Sequence, residues 1–114
     1  MTIDEIASMD AFTYVTMPED GSREVTRPYC CDLLSAAMRS APEGGVWCTI
    51  MNNNNTLAVA SLADCACIIL CDDVQPQPEV IEKATEQDIC VMKTKLPIFE
   101  AALEVYNKIH GTEV

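Results

Sequence analysis

Basic residues are scarce in this chain: seven lysines and arginines stand against eighteen acids, for a net charge of −11. A field of that sign repels a phosphate backbone and an anionic bilayer, so neither nucleic acid nor a membrane surface is an expected partner. Glycines number four, and none sits in a G-x-x-x-x-G-K-[ST] arrangement. Without such a loop, backbone amides cannot wrap a nucleotide's phosphates, and kinase chemistry is not expected. The longest strongly apolar stretch, residues 63–71, is broken by Asp64. It falls well short of the roughly 20 residues that cross a bilayer. The first ten residues, MTIDEIASMD, carry acids and no basic region, unlike a secretory signal, so a cytoplasmic location is expected. There is one histidine, His110, so a Cys–His catalytic pair has no supporting motif; its place near the end of a helix suits it to the last carbonyls.

What is abundant is apolar character. It makes up 49% of 114 residues, too much for a disordered chain and enough for one cored domain spanning 1–114. Seven cysteines are many for a cytoplasmic protein, and the expectation there is reduced thiols rather than a disulfide framework. Cys65-x-Cys67-x-x-x-Cys71 does not read as a metal site. Two cysteines four residues apart on one strand face are separated by about 13 Å, too far to share an ion, and buried hydrophobic cysteines are expected instead. Cys30 and Cys31 are different, since a thiol at a helix start has a lowered pKa and is a candidate redox centre. Asp72-Asp73 reads as a solvated loop before a hard-cation site.

The pattern along the chain alternates. Thr2 can cap a short helix to about residue 9, and residues 11–16 read as a strand followed by the turn Pro18-Glu19-Asp20-Gly21. Residues 24–26 read as a short second strand or extended segment ending at Pro28. Asp32 is placed to cap a helix whose inward face holds Leu33, Leu34, Ala37 and Met38. After the turn Glu43-Gly44-Gly45, residues 46–51 read as a buried strand, with Trp47, like Tyr29, a core or interface residue. A helix from about Asn55, a continuous apolar strand at 67–71, and a helix from Pro78 to about Gln87 follow. A strand at 89–92 then leads to a last helix opened by Pro97 and closed by Gly111, with Ile98, Phe99, Ala102, Leu103, Tyr106 and Ile109 inward. Strand–helix alternation of this kind implies an α/β domain, a mainly parallel sheet with flanking helices and right-handed crossovers.

Three stretches taken together resemble the DRTGG domain family: VTRPYCCDLLSAAM at 25–38, GVWCTIMNNNN running into TLAVASLADCACIIL at 45–70, and PEVIEKATEQDICVM at 78–92. The resemblance covers about residues 2–109. It implies an α/β fold similar to the non-catalytic N-terminal domain of HPr kinase/phosphorylase. It also implies a regulatory or dimerisation role like that of members fused to phosphotransacetylases and, with CBS domains, to pyrophosphatases. Small stand-alone members are often encoded near hydrogenase subunits, which implies a redox or acyl-phosphate-linked enzyme as partner. This chain has Thr26-Arg27-Pro28 where the family pattern has T-G-G, and Asn53 where many members have a histidine.

The asparagine run follows an inner strand and precedes a helix, where open α/β sheets commonly bind ligands. Thr49, Asn52, Asn53, Asn54 and Asn55, with Asp32, are therefore the candidate ligand-binding residues, and a nucleotide or small anion suits free helix amides flanked by asparagines. The plainer reading makes the run a polar turn with Asn54 or Asn55 as helix cap. No metal or cofactor is called for. The leading expectation is a non-enzymatic, homodimeric regulatory or adaptor domain. The alternatives are a small-anion sensor using residues 49–55 and, behind it, a thiol-based redox protein.

Overall fold

The computed structural model describes residues 1–111. Its elements run α1 (Ile3–Ala7), β1 (Thr13–Thr16), β2 (Pro28–Cys30), α2 (Leu34–Ser40), β3 (Val46–Thr49), α3 (Asn54–Ala63), β4 (Cys67–Leu70), α4 (Pro78–Glu86), β5 (Val91–Lys93) and α5 (Ile98–His110). The strands form one sheet in the order β1-β5-β4-β3-β2. β2 through β5 are parallel, and β1 joins the far side antiparallel to β5. The α/β class and the mainly parallel sheet are those the alternation implied.

Alternation of side chains along the strands divides the core into two layers. Trp47, Ile68, Leu70 and Val91 pack with Ala37, Leu57, Ala60, Val80 and Ala84 of α2, α3 and α4. Val46, Cys48, Cys67, Ile69, Cys71 and Met92 face the other way, against Ile3, Ile6, Ala101, Ala102 and Val105 of α1 and α5. A sheet covered on both faces explains the unbroken apolar run of β4.

Local chemistry sets several boundaries. Thr2 and Glu5 form a reciprocal capping box, with Thr2 Oγ1 accepting from the Glu5 amide at 3.3 Å and Glu5 Oε1 accepting from the Thr2 amide at 3.2 Å. At the β1 irregularity the Thr16 hydroxyl donates to the Ile89 carbonyl at 2.7 Å and accepts from the Val91 amide at 2.9 Å. Its side chain thus substitutes for the interrupted ladder. Gly44 takes φ +70°, and a Cβ on Gly45 would meet the Pro42 carbonyl oxygen at 2.8 Å, so the Gly-Gly turn is sterically required.

Four expectations are corrected. The second strand does not stop at Pro28 but starts there, and Glu24 only bridges Thr2. Proline is tolerated as the first residue of an edge strand because no ladder donor is needed on its open side. Asp32 does not cap α2: Leu33 holds the N-cap position without a side-chain bond. On α2, Ala37 points directly at the sheet and Leu34 is half-buried, which turns Leu33 and Met38 outward at 61% and 58% exposure. On α5 the inward face centres on Ala101, Ala102 and Val105, one residue step from the expected stripe, leaving Phe99 and Tyr106 exposed. Small residues there let the helix lie close to the sheet, and the large rings are left at its margins.

Candidate functional site

The carboxyl ends of β2 to β5 and the loops that follow them form one edge of the molecule. The Asp32 carboxylate, just past β2, accepts from the Thr49 hydroxyl at 2.6 Å and from the Ile50 amide at 3.0 Å. Thr49, completely buried at the end of β3, also accepts from the Met51 amide at 3.1 Å. Two of the candidate residues, Asp32 and Thr49, are therefore bonded to each other, through Asp32 Oδ1 and the Thr49 hydroxyl.

Asn52 reaches across to the loop after β4. Its Nδ2 donates to the Gln75 carbonyl at 2.5 Å, and its Oδ1 accepts from the Gln77 amide at 3.3 Å. Asn53, rather than Asn54 or Asn55, is the N-cap of α3, accepting from the Thr56 amide at 3.1 Å. Asn54 and Asn55 lie exposed on the first turn of that helix. Beneath Asn52 and Asn53, bounded by Leu57, Leu70 and Val80, is a void of only about 10 Å³. The asparagine run thus splits into a cross-loop clamp, a cap and two free side chains.

Asp72 and Asp73 both take left-handed backbone conformations, at φ 61° and 58°. Their amides donate to Leu96 O at 2.8 Å and Thr94 O at 3.0 Å, which pins the β4–α4 loop to the β5–α5 loop. Among the described residues no group of three or more His, Cys, Asp or Glu side chains is arranged to hold a metal ion.

Sequence reasoning did not single out Lys93 and Lys95. With Asp10, Thr13, Asp73 and Leu96 they line an open cavity of about 410 Å³ at the end of β5. Two of the seven basic residues of the chain lie here, and the Lys-Thr-Lys run after a strand was the signal available for it. A smaller cavity of about 180 Å³ lies at the opposite end of the strands, where Arg23 is held by the Asp64 carbonyl at 2.9 Å and carboxylate at 3.1 Å.

The thiols differ sharply in environment. Cys48, Cys67, Cys71 and Cys90 are buried, Cys31 and Cys65 are half-buried, and Cys30 is exposed. A hydrogen bond from Cys48, partly offset by burial and by Asp32, lowers the Cys30 thiol to about 7. Burial pushes Cys65 up to about 11, in spite of Arg23 nearby. His110 ends α5 with its ring 4.1 Å from that of Tyr106, distant in sequence from any cysteine.

No family model and no curated protein matches the sequence. Among solved structures, the fold is similar to the CBS and DRTGG domains of the regulatory region of a Clostridium perfringens pyrophosphatase complexed with its activator, diadenosine tetraphosphate. The TM-score is 0.76 at 16% identity, over 91% of this chain and 45% of that one. No helix among the described residues is long and apolar enough to cross a membrane. The chain thus has the fold of a part of that structure, spanning less than half of its length, in line with the DRTGG resemblance that its sequence carries.

Proposed function

We propose that this domain is a non-catalytic regulatory module that pairs with a second copy of itself and docks on a metabolic or redox enzyme. The observation that carries this reading is at the β2–β3 edge. The Thr49 hydroxyl and the Ile50 amide are both taken up by Asp32 Oδ1, while Leu33 and Ile50, which flank this junction, and Met38 further along α2 remain exposed. Exposed apolar side chains around a hydrogen-bonded junction suit a contact surface better than a ligand pocket. The regulatory character of the fold's relative supports the same reading. Light scattering at high micromolar concentration tests it. The chain should have the mass of a dimer, and Leu33→Glu with Ile50→Glu should yield a folded monomer that melts lower and at a temperature independent of concentration. A monomeric mass for the unaltered chain would overturn the pairing.

A second reading is favoured by the Lys93–Lys95 cavity. Its mixed lining of two lysines and two aspartates fits a ligand with both an anionic group and hydrogen-bond donors, such as a nucleotide. The open-sheet rule favours the same edge, and the pyrophosphatase region was captured with a nucleotide polyphosphate. Here diadenosine tetraphosphate should raise the melting temperature, and Lys93→Ala with Lys95→Ala should remove the rise. A rise lost instead in Asn54→Ala with Asn55→Ala would return the site to residues 49–55.

A further inference from the structure

β2 and β3 run parallel in a register that sets Cys30 directly opposite Cys48. Along β2 the side chains alternate: Tyr29 and Cys31 pack with the α2–α4 layer. Cys30 therefore shares the other face with Cys48, which belongs to the α5 layer. Because β2 is the edge strand, the same thiol that lies beside a fully buried partner is itself exposed to solvent. Cys31 is turned away, its sulfur held between the Leu33 carbonyl at 3.2 Å and the Leu33 amide at 3.4 Å. Neighbouring strands lie about 4.8 Å apart. That spacing is inside the roughly 4.4–6.8 Å between Cα atoms that a disulfide spans.

We propose that Cys30 and Cys48 form a reversible oxidation site for hydroperoxides, with Cys30 as the attacking thiolate and Cys48 as the resolving thiol. The Cys30 thiolate attacks the peroxide: an S–O bond forms, the O–O bond breaks, and the leaving oxygen departs as an alcohol or water after taking a proton. Cys48 then loses its proton and attacks the Cys30 sulfur. The S–S bond forms, the S–O bond breaks, and the hydroxide accepts that proton to leave as water. Two thiols are oxidised to one disulfide, one hydroperoxide is reduced, and a dithiol reverses the change. The hydrogen bond from Cys48 that lowers Cys30 to about 7 keeps a large thiolate fraction available at neutral pH. Cys48 itself is held well above the ordinary thiol range by its contacts with Cys30 and Cys71 and by burial, so it cannot act first. This site lies on the face of β2 opposite α2 and does not depend on the pairing surface at Leu33.

The test treats the intact protein with one equivalent of hydrogen peroxide at neutral pH, blocks remaining thiols with N-ethylmaleimide, and maps the peptides by mass spectrometry. The expected product is a Cys30–Cys48 link with the loss of two hydrogens. Cys48→Ala should stop at a Cys30 sulfenic acid that dimedone captures, and its Cys30 should alkylate roughly tenfold more slowly at pH 7. Cys30→Ser, an exposed substitution that leaves the core intact, should leave Cys48 unmodified with the melting temperature retained. A link from Cys30 to Cys31, a link between Cys30 residues of two chains, or a Cys30 no more reactive than in the unfolded chain would each overturn the proposal.

Discussion

Asp32 shows how one carboxylate can hold two segments in place. It ties the end of β2 to the end of β3 through a hydroxyl and an amide, and Thr49 has no access to water as a substitute partner. Removing the acceptor leaves a buried hydroxyl unsatisfied, so Asp32→Ala should cost about 1–3 kcal/mol. The paired change Asp32→Ala with Thr49→Val should cost less than the sum of the two single changes, because no orphaned hydroxyl remains. Urea unfolding of the four proteins measures both quantities. The thiols give a second contrast between single residues. Alkylation of Cys30 should rise with a midpoint near pH 7, and that of Cys65 only near pH 11, although both reach the surface. Since the folded pKa of Cys30 lies below its unfolded value, its ionisation adds stability at alkaline pH, and that contribution fades as pH falls through 7. Peptide-resolved iodoacetamide rates across the pH range check the two midpoints.

Helix α3 begins one asparagine earlier than expected, and the reason is the cap. Asn53 satisfies the Thr56 amide, Asn52 is engaged with the neighbouring loop, and Asn54 and Asn55 are left facing solvent. Asn53→Ala should therefore lower stability by about 1 kcal/mol. Asn54→Ala and Asn55→Ala should each stay within about 0.5 kcal/mol. Equal losses at all three positions in thermal unfolding would contradict the capping assignment. Periodicity and turn residues made the order of elements readable because hydrophobic patterning is local, and each strand and helix buries its own stripe. The rotation of α2 and α5 was not readable in the same way. Which of two adjacent apolar residues faces inward depends on how closely a helix can approach the sheet, and Ala37 and Ala101 decide that only once the sheet exists. Nor could spacing reveal that Asp32 would reach β3 rather than its own helix, or that Asn52 would clamp a loop more than twenty residues away. The alternation of strand and helix did put residues 52 and 53 in the loop after β3, but the partners of its side chains are tertiary facts.

A net charge of −11 on so small a body opposes any self-association, since each copy repels the next. If Leu33, Ile50 and Met38 draw two copies together, an apolar contact supplies the attraction and long-range repulsion weakens it. The two contributions respond oppositely to salt. Exposed charges interact over about 30 Å at 0.01 M ionic strength and over about 8 Å at 0.15 M, while burial of apolar area is little affected across that range. Pairing should therefore tighten as salt is raised through this interval, and sedimentation equilibrium at the two ionic strengths measures the change. A dimer that instead loosened with salt would be held by opposite charges. The few cations of the chain, Lys93 and Lys95 at the far end of the sheet among them, would then be the place to look for the contact. Tightening by salt together with dissociation by Leu33→Glu and Ile50→Glu would place the contact on the β2–α2 edge. It would also leave the exposed Cys30 thiol on the opposite face open to solvent in the assembled form.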